Sequence, residues 1–359
     1  MEEKKFSVKK LATRWFIDAF SGMAQGLFCT LIAGTILAQI AGWIGDNPVG
    51  NSLGTVAAIA KTLMGAGIGV GIAHALKTPK LTMFSAAVAG MVGAFSDKIM
   101  GGGAFTLALG VPGNPIGAYI AALFCVEIVS LYAGKTKLDI LLVPLGTLLL
   151  SFVAIYIAFP FIWLINQLGV LISKATEITP FFMGIIISVA MGILLTMPTS
   201  SAAIWVAVAS GITDDAMLIA GGAAVVGCSC HMIGFAVASF RENGVSGLIA
   251  QGIGTSMLQI PNIMKKPIIM LPEIIASAIL GPVSTCLFKL KCNAAGGGMG
   301  TSGLVGVFGS ISASADMAPW LLALAIILLL FVLPAAISFL TSELFRKKGW
   351  IKFGDQKLE

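Results

Sequence analysis

Long apolar runs constrain this chain more than any other feature. Predominantly apolar stretches cover 26–43, 138–165, 181–197 and 320–339. A bilayer core of about 30 Å needs roughly 20 such residues in a helix. Only 11% of the 359 residues are charged, well below the usual share in soluble domains. Because the runs are too continuous for the alternating strands of a β-barrel, we expect an all-α polytopic membrane protein.

The spacing of the runs predicts the order of the spans. Spans are expected near 19–44, 52–76, 81–96, 104–133, 138–165, 181–197, 214–240, 267–288 and 317–344. With the irregular second half, this gives about 9–10 transmembrane helices. Basic loops alternate with weakly charged ones, which predicts that both termini are cytoplasmic. Residues 1–18 are then an amphipathic cytoplasmic lead-in, and 346–359 form a cytoplasmic tail.

The second half of the chain contains irregular apolar segments at 198–212, 244–262 and 293–311. Each is too short or too rich in glycine for an ordinary span and is bounded by Pro or Gly. They are either re-entrant hairpins or surface loops and interfacial helices, and their apolar content favours hairpins. Broken backbone at membrane depth needs cover from protein or water, and in transporters it lines the substrate site.

Neutral polar side chains concentrate in these segments. Hydroxyl and amide groups both donate and accept hydrogen bonds, which suits a hydroxylated or amide ligand. The serines after Pro198 have a second explanation, since a serine at a helix start often caps the helix. Lys265 and Lys266 attract an anion or set the topology, and we favour topology. The predicted substrate-binding residues here are Thr199, Ser200, Ser201, Thr255, Ser256, Gln259, Asn262, Thr301 and Ser302.

Ionisable residues inside spans are functional candidates because a lone charge there is costly. His231 is a further substrate-binding candidate, although it could equally hold a neighbouring helix by a hydrogen bond. Glu127 is either a proton or cation site or a structural partner of Lys61. Glu273 is expected near the interface, and Asp316 at a helix N-terminus, where the helix dipole favours an acid.

Several function classes are not indicated. Cys228, Cys230 and His231 lack a fourth ligand nearby, so we predict no metal site. The glycine-rich segment 294–303 lacks the Gly-Lys-Ser/Thr ending of a phosphate loop, and no catalytic triad stands out. We therefore predict no catalytic residue, no cofactor, no enzyme activity and no nucleic-acid partner.

Several motifs resemble a known family. GNPIGAYIAALFCVEIVSLYAG and its continuation to 169, GILLTMPTSSAAI (192–204), GTSMLQIPNIMKKPIIMLPEIIASAILGP (254–282) and AAGGGMG (294–300) resemble the fructose-type IIC membrane component of the bacterial phosphotransferase system. Within it, the chain is similar to the IIC-like group of perfringolysin regulator-type membrane proteins. The resemblance implies an EIIC-like fold and a homodimer in the bacterial cytoplasmic membrane. It further implies a scaffold and dimerisation part at 19–170, a substrate-binding part at 181–311 and a final transmembrane helix at 317–345.

The departures from the family pattern concern the binding site. Met257 stands at the family's acidic position, and Met299 or a neighbouring glycine stands where the family has His. The chain shows no IIA or IIB phosphotransfer domain, so phosphorylation would need a separate IIB protein. The predicted function is transport of a small polar solute, with sugar as one class, through a non-standard site that lacks the usual Glu. The alternative is a membrane sensor or regulator that keeps the EIIC fold without phosphorylating transport.

Overall fold

A computed structural model describes residues 8–102, 105–197 and 200–358. These ranges are helical with irregular connections and contain no β-strand. The all-α polytopic class predicted from the apolar runs is confirmed. The chain divides into two compact units, one that reaches to Ile165 and one that begins at Asn166. The scaffold and substrate-binding roles assigned to 19–170 and 181–311 remain predictions.

Local sequence signals start the helices of the first unit. Asn47 and Asn114 each precede a proline, and their side chains accept backbone N–H groups of the following turn at 2.9–3.0 Å. Such caps satisfy amide groups that no helix carbonyl can reach. The helices are α1 Lys10–Ile44, α2 Pro48–Thr62, α3 Met64–Ala75, α4 Lys80–Ala94, α5 Pro115–Val129 and α6 Asp139–Ile178, the last of which continues into the second unit.

Three predicted spans of this unit differ from the helices in the structure. Of the span predicted at 104–133, the helix among the described residues is Pro115–Val129. The expected span at 52–76 is the pair α2 and α3, which bends by 52° at the break between them. The span predicted at 138–165 is part of α6, which is 40 residues long, or about 60 Å. It contains Pro144 and Pro160 but ends only before Pro180, because a proline disfavours helix geometry in the residue before it.

Glycine and alanine line the contacts between α1, α3, α4 and α5. A Cβ added at Gly69 would overlap the backbone carbonyl of Ala86, so these helices touch through their backbones. Small residues permit this close approach inside a membrane, where packing replaces the hydrophobic effect as the source of helix association. The same contact recurs along the unit in the pairs Gly22–Gly71, Gly26–Gly67, Gly65–Gly90 and Gly93–Gly117.

The second unit is built around one buried helix. Its helices are α7 Pro180–Thr196, α8 Ser201–Ala209, α9 Asp215–Ala238, α10 Phe240–Ile249, α11 Pro267–Phe288, α12 Val305–Ala313 and α13 Pro319–Lys347. Of the apolar window of α9, 78% is buried, against 28–56% for the other long helices. Helices α7, α11 and α13 pack against it. The residues of α9 therefore lie at the centre of the unit.

The described part of the chain has 5 helices long and apolar enough to cross a membrane, or 6 if the bent pair of α2 and α3 is one span. The long helices are α1, α6, α9, α11 and α13. Shorter apolar helices, α4, α5, α7 and Ser302–Ala313, accompany them. The protein is therefore a multi-pass membrane protein.

The C-terminal tail docks on the segment that follows α9. Arg346 donates to both carboxylate oxygens of Glu242 at 3.2 Å and to Gln356 Oε1 at 2.9 Å. Glu242 also accepts the N–H of Gly354 at 2.9 Å. Lys266 pairs with Asp355 at 2.6 Å. The tail thus closes the end of the unit where α9 and α13 finish.

Amide side chains hold the same tail through its backbone. Gln259 donates to the carbonyl of Gln356 at 2.9 Å, and Asn262 donates to that of Lys357 at 2.9 Å. Asn243 donates to the Gln356 carbonyl and accepts the N–H of Leu358. Because these bonds use backbone groups of the tail, they fix its path and do not depend on which side chains it carries.

We expect Gly69→Ala to destabilise the first unit, because the new methyl group meets a backbone carbonyl that cannot move aside. Overpacking of this kind costs about 1–3 kcal/mol. Gly54→Ala is the matched control, since Gly54 lies within α2 with no atom near its Cβ position. There alanine should stabilise the helix by up to about 1 kcal/mol. The measurement is the thermal unfolding temperature of both variants in detergent. If Gly69→Ala unfolds at the same temperature as Gly54→Ala, the close packing at Gly69 is wrong.

We expect Glu242→Gln to loosen the tail and lower stability by about 3 kcal/mol, because it leaves the largely buried Arg346 without its charged partner. The side chain of Glu242 is fully buried and that of Arg346 is 11% exposed. The control is Glu343→Gln, which breaks the more exposed pair with Arg241 and should cost below about 1 kcal/mol. Hydrogen exchange of 350–358 should rise in Glu242→Gln alone. Equal exchange in the two variants would show that this pair does not hold the tail.

Candidate functional site

The irregular segments of the second unit meet beside the middle of α9. The hydroxyl of Ser201, at the start of α8, donates to the carbonyl of Gly298 at 2.7 Å. Thr301 donates to the carbonyl of Gly252 at 2.6 Å, and Ser302 to that of Gly254 at 2.9 Å. Segments around 200, 250–256 and 297–302 are therefore joined to one another. We call this meeting point the junction.

Local sequence explains why the helices stop at the junction. Met197 is extended (φ −73°, ψ 161°) because Pro198 follows it. The side chain of Ser200 then accepts the N–H of Ala203 at 3.1 Å and starts α8. Gly300 has a positive φ of 55° and lies so close to Cys228 that a Cβ there would meet the backbone at 2.8 Å. Only glycine satisfies both conditions.

His231 is the ionisable group at the junction. Its Nδ1 lies 2.9 Å from Thr196 Oγ1, which lies 3.0 Å from Ser256 Oγ. All of these side chains are fully buried. The His231 Nε2 has no hydrogen-bond partner among the described residues, and its ring packs closely on Gly192, where an added Cβ would come within 2.8 Å of Nε2. A buried nitrogen without a partner is costly, so this atom is suited to a ligand.

The open nitrogen suits a hydroxyl ligand in either tautomer. If Nδ1 carries the proton, Nε2 is an acceptor, and if Thr196 donates to Nδ1, Nε2 is a donor. A hydroxyl group can both donate and accept, so it can pair with Nε2 in both cases. The indole nitrogen of Trp205 is a second buried group without a partner in the described structure, and its ring packs on Gly297. The junction therefore presents unused neutral hydrogen-bonding groups.

The structure separates the predicted substrate-binding residues into groups. His231, Ser201, Ser256 and Thr301 lie at the junction, whereas Ser200 and Thr255 accept backbone N–H groups at helix starts. Ser302 bonds to the Gly254 carbonyl, and Thr199 lies outside the described residues.

Gln259 and Asn262 hold the C-terminal tail, so their side chains already have partners. The polar residues of 254–262 thus have different neighbours: Ser256 bonds to Thr196, while Gln259 and Asn262 bond to the tail. Their role in substrate binding remains a prediction.

Sequence reasoning did not include Thr196, the residue that joins His231 to Ser256. The available signal was a threonine two residues before the proline of a predicted helix break. The predicted position of Glu273 near the membrane interface remains a prediction. Within the protein Glu273 is fully buried, and neither carboxylate oxygen has a partner among the described residues.

Glu127 belongs to the first unit. It accepts a hydrogen bond from Arg14 Nε at 2.7 Å and from the indole of Trp15 at 3.1 Å. Its cationic partner is therefore Arg14 and not Lys61, and a proton or cation role for Glu127 remains a prediction. Within the described residues, His, Cys, Asp and Glu form no group that could hold a metal ion.

A cavity of about 590 Å³ opens at the end of the second unit opposite the tail. Its polar lining includes Ser173, Lys174, Glu177, Asp214, Asp215 and Lys289. None of the predicted substrate-binding residues that the structure describes lines it. Beside it, Lys291 donates to Asp316 at 2.7 Å and to Asp215 at 3.1 Å. The Asp316 carboxylate raises the pKa of Lys291 above its ordinary value, and Lys291 lowers the pKa of Asp316.

Comparison with known proteins supports the resemblance drawn from the motifs. Residues 17–358 match the family model described as "Phosphotransferase system, EIIC". No curated protein and no solved structure matches the chain significantly. The family match covers nearly the whole chain, including both units. EIIC proteins are the membrane transport components of sugar uptake and do not themselves transfer the phosphoryl group. The chain therefore belongs to the phosphotransferase system EIIC family and is a membrane permease component for sugar transport.

Proposed function

We propose that this permease binds a neutral sugar or sugar alcohol at the junction, with His231 as the central contact. The observation that carries the proposal is the unpartnered Nε2 of His231, fully buried where the irregular segments meet. Thr196 and Ser256 orient the imidazole from its other nitrogen. A fixed ring with one open nitrogen is a suitable contact for a sugar hydroxyl.

The composition of the junction favours a neutral ligand over an anion. The side chains that meet there carry hydroxyl, imidazole, indole and thiol groups, and the helix breaks add backbone carbonyls. Met257, which aligns with the family's acidic position, is 37% exposed and offers no carboxylate. The proposed site therefore binds hydroxyl groups without the usual acid, which predicts a substrate range that differs from that of fructose-type relatives.

Transport requires the junction to open. The hydroxyls of Ser201 and Thr301 bond to backbone carbonyls of neighbouring segments, so a substrate must displace or straddle these bonds to cross. We infer that 181–311 moves as the substrate-binding part against a scaffold in 19–170, within a homodimer of the bacterial cytoplasmic membrane. Both termini would face the cytoplasm, where a separate IIB protein would supply the phosphoryl group.

A sensor or regulator is the second candidate. The docked tail supports it, because Gln259, Asn262 and Lys266 hold 355–357 at one end of the unit that contains the proposed site. A ligand that changed this docking would report its presence to proteins outside the membrane. In this case the protein would bind the sugar without moving it.

We expect His231→Phe to reduce sugar uptake by about fivefold, because a hydrogen bond to the ligand is worth about 1 kcal/mol and its loss leaves the ligand hydroxyl unpaired. The measurement is uptake of radiolabelled hexoses and hexitols into proteoliposomes that contain the purified full chain. His74→Phe is the control, since His74 is the other histidine of the chain and is exposed in the first unit. Thermal unfolding would show that both variants fold.

The two candidate functions give different results in this assay. Native uptake that persists in a folded His231→Phe variant would show that the proposed site is wrong. Saturable binding of a sugar without flux, by equilibrium dialysis on the same protein, would favour the sensor. If no hexose or hexitol is transported or bound, the assignment of a neutral sugar as the substrate is wrong.

A further inference from the structure

Glu273 is the one described acid that is fully buried in a span and has no partner. It lies in α11, about 9 Å along the helix from Pro267, and both of its carboxylate oxygens lack a hydrogen bond among the described residues. By contrast, Glu127, Glu242 and Asp355 each form an ion pair with a cationic side chain. An ionised carboxylate without a partner in this position would cost several kcal/mol.

The surroundings of Glu273 are polar but uncharged. Gly234 of α9 separates it from α13: a Cβ added at Gly234 would lie 2.8 Å from Glu273 Cγ and 2.6 Å from Ser338 Oγ. The hydroxyls of Ser338 and Ser342, one turn apart on α13, are also buried without partners. Buried polar atoms are normally satisfied, so the oxygens of Glu273 and Ser338 leave hydrogen-bonding capacity unused.

The neighbouring helices leave few competing titratable groups. From α9, the thiol of Cys230 faces both Glu273 and Ser277, and His231 turns away toward Thr196 of α7. Helix α7 presents the Ser188 hydroxyl, which bonds to the Ser277 carbonyl, and α13 presents Ser338. Cys230 is thus the titratable neighbour of Glu273, and no cationic side chain pairs with the acid in the described structure.

We propose that Glu273 is a proton-binding site of the transport cycle, occupied by a proton at rest and released to water when α11 and α13 separate. The O–H bond of the carboxylic acid breaks, the proton passes to water, and the carboxylate is hydrated until it is protonated again. When the helices move, the Ser338 hydroxyl would accept from the acid or donate to the carboxylate. The inference rests on the proposed transport function and adds a coupling ion to it.

An apolar cluster separates this site from the tail. Phe235, the residue after Gly234, packs with Ile263, Ile269, Phe345 and Ile351, and Ile351 belongs to the tail segment. Ile269 precedes Glu273 by one turn of α11, on the side of Lys266, which pairs with Asp355 of the tail. Proton exchange would require this cluster to part, which ties release of the proton to a conformational change.

Infrared spectroscopy of the purified full chain tests the site without any substrate. A protonated carboxyl gives a carbonyl stretch distinct from that of an ionised carboxylate. We expect such a band in the native protein, its loss in Glu273→Gln, and its gradual disappearance as pH rises. Glu343→Gln is the control, because it removes an acid near the end of α13 that is already paired with Arg241. Ser338→Ala should keep the band but move its titration.

The outcomes separate this inference from the proposed transport. A native protein without the band at any pH, or with a band that neither titrates nor exchanges with deuterium, would overturn the proton site. Removal of the band by Na⁺ at constant pH would replace the proton by a metal cation and also overturn it. If the panel of hexoses and hexitols yields a substrate, its flux should change by up to about tenfold per pH unit, as expected for one proton, and Glu273→Gln should abolish that change. If no flux is found but the band titrates, the proposed transport is wrong and the proton site at Glu273 stands.

Discussion

The requirement that polar groups find partners inside a bilayer governs the second unit. Where a helix breaks at membrane depth, its freed N–H and C=O groups have no water to bond to. The chain meets this need with hydroxyl side chains that bond to the backbone of another broken segment, as Ser201 does with Gly298 and Thr301 with Gly252. Each broken segment is therefore stabilised by hydrogen bonds to another broken segment, and together the segments pack around α9.

This arrangement explains why the proposed binding site lies at the junction. A place where several helices stop offers hydrogen-bonding groups without the cost of burying a charge. His231 adds a side chain whose position is fixed through Thr196 and Ser256 and whose second nitrogen is unused. The same groups that satisfy the broken backbone would have to exchange partners if the junction opened to a substrate.

The acids discussed above differ in whether a cationic side chain pairs with them. Glu127 is joined to Arg14, and Glu242 to Arg346, so each keeps a compensating charge within hydrogen-bond distance. Lys291 likewise bridges Asp215 and Asp316. Glu273 has no such partner among the described residues, and the Ser338 hydroxyl near it is also unpaired. Structural pairing accounts for the first group, whereas it does not account for Glu273.

The sequence by itself determined the membrane class and the approximate positions of the apolar helices, because hydropathy, caps and proline effects act over a few neighbouring residues. It predicted nine spans, whereas the described residues contain 5 or 6 helices long and apolar enough to cross a membrane. Asn47 and Asn114 start helices before their prolines, and Pro198 ends α7, as local chemistry requires. The motifs also sufficed for the family. Only the tertiary structure decided which groups meet: Gln259 bonds to a carbonyl 97 residues away, and Glu127 to an arginine 113 residues away. Such pairings follow from the packing of whole helices, so no local pattern could have assigned Gln259 to the tail, Thr196 to His231, or a fully buried and unpaired position to Glu273.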